Sequence, residues 1–175
     1  MPDITSFNHA ILNGNIEEIV ELVNKAAIKA SINNVDHDGK TPLILAVETN
    51  FPEVIEILVK NGANVNLAIK GSTALMIAAQ SGRHKMAKAL ILAGADTDKV
   101  VGFGKITALK LAKKHLSLDK FQEMELAFKE AQTDLGAKKQ QRGESAKGFQ
   151  KSPIKSSPNK GISGGNIIQR KTQGR

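Results

Sequence analysis

The chain contains no cysteine, no tryptophan and no tyrosine, and aromatic residues make up only 3% of it. Without cysteine, disulfide bridges, thiolate metal sites and cysteine nucleophiles are excluded. Six phenylalanines are the whole aromatic complement, so any core must be built from small aliphatic side chains, which suits closely stacked helix pairs. No aromatic platform stands among the basic residues to stack nucleic-acid bases. No apolar run reaches the roughly 18 residues of a membrane-crossing helix, and the N-terminal stretch lacks the basic-then-apolar order of a secretory signal.

The 175 residues are enough for one ordinary domain, and 41% of them are hydrophobic. The net charge of +8 is unevenly spread. Residues 1–135 hold 15 Lys/Arg against 16 Asp/Glu, whereas residues 136–175 hold 10 Lys/Arg and a single acid, Glu144. The high isoelectric point thus describes a basic tail on a nearly neutral domain. From Gly136 onward Lys, Gln, Gly, Ser and Pro dominate, and no apolar period persists. Such a segment buries too little surface to offset its ordering entropy, so 136–175 is expected to be a disordered tail. Ile154, Ile162, Ile167 and Ile168 are too sparse for a core, but they can anchor a short motif.

The domain is organised around one stretch, from Asp36 to Leu67. Asp38-Gly39 signals a turn. Thr41 is placed to cap a helix whose first turn holds Pro42, where the missing N–H costs nothing. Leu43, Ala46 and Val47 share one helical face. Asn50-Phe51-Pro52 must end that helix, and Val54, Ile55, Leu58 and Val59 form the face of a second. Asn61-Gly62 closes it as a left-handed C-terminal cap requires.

The unit recurs. Gly71-Ser72-Thr73-Ala74-Leu75-Met76-Ile77-Ala78 repeats its first half, with Thr73 placed 32 residues after Thr41. Gly94-Ala95-Asp96 follows Gly62-Ala63-Asn64 at the same offset, and Thr107-Ala108-Leu109-Lys110-Leu111-Ala112 begins a third copy 34 residues after Thr73. Upstream, Ala10 to Ile19 matches the latter part of an earlier repeat. The motif Thr41-Pro42-Leu43-Ile44-Leu45-Ala46, followed by Gly62-Ala63-Asn64-Val65-Asn66, resembles the ankyrin repeat, a unit of about 33 residues.

The resemblance covers residues 4 to 134 and implies an all-α solenoid of stacked helix–turn–helix units joined by short hairpin-like turns. Its repeats fall at about 4–33, 36–67, 68–101 and 102–134, giving a domain at 1–135. The first is expected to be a capping repeat, with Asn13-Gly14 breaking two amphipathic segments and Glu17, Glu18 and Glu21 on its outer face. The stretch from Lys25 to Asn33 reads as an expanded link. In the last repeat, Lys110, Lys113 and Lys114 make a polar surface over an inner stripe of Phe121, Met124 and Phe128, as a C-terminal cap requires. Where ankyrin repeats usually carry histidine, this chain has Ile44, Met76 and Lys110. That histidine ties neighbouring repeats through backbone hydrogen bonds, so its loss leaves apolar packing to hold them and implies modest stability.

No catalytic constellation emerges, and neither an enzyme activity nor a cofactor is expected. His9, His37, His84 and His115 fall on different repeats without metal-ligand spacing. Gly102-Phe103-Gly104-Lys105-Ile106-Thr107 invites a phosphate-loop reading, but its glycine spacing is wrong and Ile106 separates Lys105 from the hydroxyl residue.

In ankyrin proteins the turn tips and the exposed side of each first helix contact protein partners. Carried over to this chain, those positions are His37, Asp38, Lys40, Glu48 and Thr49; Ile69, Lys70, Ser72, Gln80 and Ser81; and Phe103, Ile106, Lys114 and His115. Ile69, Val100, Val101, Phe103 and Ile106 are apolar near turns that usually face water, and either mark a contact site or fold under the tips. In the tail, Ser152-Pro153-Ile154-Lys155 and Ser157-Pro158-Asn159-Lys160 resemble sites of proline-directed kinases, making Ser152 and Ser157 candidate phosphorylation sites. The expected function is a monomeric, non-catalytic adaptor for a protein partner. The alternative is a regulator whose basic tail contacts nucleic acid or another polyanion. The cytoplasm or nucleus, or a host cytoplasm for a secreted bacterial effector, suits either.

Overall fold

The computed structural model describes residues 4–101 and 106–147. Its elements are α1 (Ile4–Asn13), α2 (Ile16–Val23), α3 (Ala26–Ser31), α4 (Pro42–Thr49), α5 (Pro52–Lys60), β1 (Ala68–Ile69), β2 (Ser72–Thr73), α6 (Ala74–Gln80), α7 (His84–Leu92), α8 (Ala108–His115) and α9 (Leu118–Lys147). The helices stack in two rows. α1, α4, α6 and α8 pack on one another in that order, and α2, α5, α7 and α9 make the second row. Each unit presents a turn before its first helix. β1 and β2 pair antiparallel with Ala68 opposite Thr73 and Ile69 opposite Ser72, and Val101 bridges Ile106 one repeat later.

The repeated threonines start the helices as their sequence positions predict. The hydroxyl oxygens of Thr41, Thr73 and Thr107 accept from the amides of Ile44, Met76 and Lys110 at 3.3, 3.3 and 3.4 Å. Each satisfies one of the amides that a helix start leaves without an internal partner. The breaks follow the same logic. Asn50 takes a left-handed conformation and receives no further turn because Pro52 begins α5. At Gly14 the backbone has φ +66, and a side chain there would run into the ring of Phe51 on the neighbouring repeat. That glycine is required twice over.

Between the rows lies one aliphatic core. Phe7, Ile11, Ile19, Ile55, Leu58, Leu75, Met86, Leu90 and Met124 are at most 1% exposed. Burying a side chain such as Leu58 stabilises the fold by about 1.5–3 kcal/mol. Alanines at 46, 78, 79, 87 and 112 are fully buried too, and their small side chains let adjacent helices approach.

Three expectations need correction. The link from Lys25 to Asn33 contains a helix of its own, α3, which buries Ile28. The boundary at 135/136 is no helix end, since α9 runs on to Lys147. Nine of the twelve residues of that extension are Ala, Lys, Gln, Arg or Glu, and their helix propensity sustains the backbone past Gly136, Gly143 and Ser145 without an apolar stripe. Nor is apolar packing the sole tie between repeats. The Asn33 side chain donates to Gly62 O at 3.0 Å and accepts from the Asn64 amide at 2.7 Å. One repeat on, Asn66 donates to Gly94 O at 3.3 Å and accepts from the Asp96 amide at 2.8 Å. These asparagines form an inter-repeat ladder, while the histidine positions at 44 and 76 are filled by buried apolar side chains.

Candidate protein-binding surface

The first turn tip is built by Asp36. Its carboxylate accepts from the amides of Asp38 and Lys40, both at 2.9 Å, and Gly39 supplies the positive φ of 76 that completes the bend. Lys40 leaves the turn toward the end of α4 and meets Glu48 at 2.6 Å. The hydrogen bond to Glu48 holds the Lys40 ammonium above the usual lysine range. Burial works against that rise, and the charges of Glu48, Asp38 and Asp36 add to it.

The tips are tied sideways. Lys70, itself at a left-handed φ of 50, donates to the Asp38 carbonyl at 2.9 Å. Arg83 donates to the Glu48 carbonyl at 3.0 Å, linking the end of α4 to the loop between α6 and α7. The structure therefore brings Asp38, Lys40, Glu48 and Lys70 into one network, with Arg83 as a member the sequence did not single out.

The remaining expected positions are distributed along the face. His37 is exposed at its tip. Gln80 and Ser81 are exposed at the end of α6, and Lys114 and His115 at the end of α8. Ile69, Ser72 and Ile106 are half-buried. Thr49 is half-buried as well, and its hydroxyl donates to the carbonyls of Leu45 and Ala46, so it offers a partner no proton. Of the apolar turn residues, Val101 packs on the core while Val100 remains 48% exposed. Phe103, Ser152 and Ser157 lie outside the described residues, as do residues 148–175 as a whole.

At the N-terminal end of this face the first tip, α1 and α4 enclose a cavity of ≈ 430 Å³. Leu12, Val35 and Leu45 give it apolar walls, and Asp36, His37, Asp38, Lys40 and Glu48 form one side of its rim. Asn8 and His9 line it from α1. Sequence reading missed the α1 contribution, although Ile4, Thr5, Asn8, His9 and Leu12 fall at helical spacing on one side of that helix. The signal was obscured because Phe7, Ala10 and Ile11 supply the stronger apolar stripe.

Asp36, His37 and Asp38 each place a potential metal-ligand atom within 4.8 Å of the others, a grouping that the spacing of the four histidines did not suggest. One oxygen of Asp36 is already engaged by two amides, and the Lys40 ammonium lies close enough to feel both aspartates. A metal ion there would have to compete with those amides for Asp36 to gain its ligand set. The trio is turn architecture.

Comparison with known proteins agrees with this geometry. A family model described as ankyrin repeats (3 copies) matches residues 7–101. The ankyrin repeat and SAM domain-containing protein 6 of Rattus norvegicus is 35% identical over 97 residues, which are 54% of this chain and 10% of that protein. The B-cell lymphoma 3 protein homolog of Mus musculus is 34% identical over 96 residues, 54% of this chain and 21% of that protein. The Notch-regulated ankyrin repeat-containing protein of Xenopus laevis is 34% identical over 87 residues, 49% of this chain and 76% of that protein. The chain thus spans only a small part of the first two relatives. Ankyrin repeats in general mediate protein–protein interaction and are not catalytic, and no helix among the described residues is long and apolar enough to cross a membrane. By repeat motif, helix stacking and family match together, the chain belongs to the ankyrin-repeat family.

Proposed function

We propose that the chain is a non-catalytic adaptor that holds a protein partner against its turn tips and first helices. The observation that carries this reading is the cross-linked row of tips, in which Lys70 reaches back to Asp38 and Arg83 to Glu48. A face fixed in this way loses little further freedom on binding, so its contacts are spent on affinity. Glu48, Gln80, Lys114 and the half-buried Ile69 and Ile106 set specificity along it.

The test is capture of partners from extract by the full chain and by the double variant Glu48→Ala/Gln80→Ala. A few central contacts dominate most interfaces, so the variant retains its fold and loses partner. Capture unchanged by this pair, and by Lys114→Ala, would refute the reading.

A second reading rests on charge. Residues 68–135 carry 11 Lys/Arg against 7 Asp/Glu, and the tail adds 10 Lys/Arg, so a polyanion would be drawn to this end. Association that falls steeply with added salt, while the tip variants have no effect, favours that alternative.

A further inference from the structure

Charge divides the domain in two. Residues 1–67 carry 9 Asp/Glu against 4 Lys/Arg, the opposite imbalance to residues 68–135. The cavity beside the first tip lies in the acidic half, and its rim places three carboxylates, Asp36, Asp38 and Glu48, against the ammonium of Lys40, with the Lys70 ammonium beside the rim at the Asp38 carbonyl. Below the rim, Leu12 and Val35 remain 50% and 49% exposed. Asn8 lines the same cavity while only 7% exposed, and its amide oxygen is a buried acceptor without a hydrogen-bond partner. Such an oxygen stays destabilising until an N–H reaches it. An occupant matched to this cavity brings aliphatic side chains, an N–H donor and positive charge, close together on one short segment.

The chain's own tail contains that combination. Ile167-Ile168-Gln169-Arg170-Lys171 joins two adjacent isoleucines to an amide donor and two cations. Elsewhere in the tail Ile154 is single and Ile162 has no adjoining cation. We propose that residues 167–171 seat in this cavity. Ile167 and Ile168 cover Leu12 and Val35, the Gln169 amide or the Arg170 guanidinium donates to Asn8, and Arg170 and Lys171 meet the carboxylates of Asp36 and Asp38.

Reach is sufficient. The 20 residue steps from Lys147 to Ile167 extend to about 66–72 Å. Helices stacked about 8–10 Å apart put the first and last repeats some 24–30 Å from each other, and the twelve residues of α9 beyond Leu135 add at most about 18 Å to the span from Lys147. Attached to the chain, the segment acts at a millimolar-range effective concentration, so a weak intrinsic affinity is enough to fill the site. The basic C-terminal half repels the tail, and the acidic half attracts it. The contact is independent of any external partner, though a seated tail would cover the N-terminal end of the recognition face.

The absence of cysteine makes the test direct. A full chain carrying Gln173→Cys with a nitroxide label is compared, by amide NMR intensities, with its reduced diamagnetic form. Tail docking predicts strong broadening at Leu12, Val35 and His37 and little at Lys113. Ile167→Ser/Ile168→Ser, substitutions outside the repeat sequence, should restore the lost intensity, and Asp38→Lys should do the same from the cavity side. The inference is overturned if the cavity amides keep their intensity. It is also overturned if broadening survives Ile167→Ser/Ile168→Ser, which leaves diffuse charge attraction. Broadening seen only in mixtures of labelled and isotope-enriched chains would assign the cavity to a second copy and overturn it too.

Discussion

Replacing Asn33 or Asn66 by alanine removes two hydrogen bonds that cross from one repeat to the next. Each net bond is worth about 0.5–1.5 kcal/mol, and both asparagine pairs lie at exposed positions. The lower half of that range applies, giving about 1–2 kcal/mol for either variant. With a urea dependence of about 1–3 kcal/mol per molar, the midpoint should fall by roughly 0.5–1 M. Far-UV circular dichroism is the appropriate probe, because the chain has neither tryptophan nor tyrosine to report by fluorescence. Asn24→Ala is the control, since its side chain bonds only within its own unit, to Val20 O at 2.9 Å. In a solenoid, stability is a sum of repeat and interface terms. Asn33→Ala therefore acts on an interface and should also broaden the transition, whereas Asn24→Ala should not. If the two variants shift the midpoint equally, or Asn33→Ala leaves it unchanged, the ladder does not couple the repeats.

Gly14→Ala combines a left-handed backbone with collision against the Phe51 ring. It should cost about 2–4 kcal/mol, partly recovered by Phe51→Leu in a double-mutant cycle; additive losses would refute the contact. Lys40→Met should cost under about 1 kcal/mol, as half-exposed pairs do. The folded-state lysine pKa is raised, so the pair's contribution is complete below the ordinary lysine value near 10.4 and disappears as pH climbs through the higher folded value. Urea midpoints of the two chains should differ by a constant amount at neutral pH and converge in strong alkali.

Most of the fold was legible because local signals agreed. Thr41, Thr73 and Thr107 each begin a helix, Asn50 and Pro52 separate two, and Leu58 and Leu75 are buried where their periodicity put them. What was not legible depended on weaker or longer-range terms. α3 has six residues and one buried side chain, Ile28, too short for a periodicity to establish. The extension of α9 beyond residue 135 follows propensity alone, which a search for apolar stripes passes over. The asparagine ladder joins residues about thirty positions apart, and asparagine before a turn reads as turn chemistry long before it reads as a tie between repeats.

The candidate surface was less legible for a physical reason. A motif fixes which positions face outward, but the surface is defined by what those positions do to one another. Thr49 and Gln80 are equivalent as outward-facing residues, yet the Thr49 hydroxyl is committed to its own helix while Gln80 remains exposed. Lys40 and Lys70 look like two free cations in the sequence. In the structure one is bound to a carboxylate, which offsets its charge, and the other to a neutral backbone carbonyl, which fixes its place at the tip and leaves its charge intact. The recognition available at the first tip is therefore set by three carboxylates, which still outnumber the ammoniums of Lys40 and Lys70, and by the apolar walls beneath them. That balance selects a cationic, aliphatic segment over an anionic one, and it could be reached only by placing α1 beside a turn more than twenty residues away in the chain.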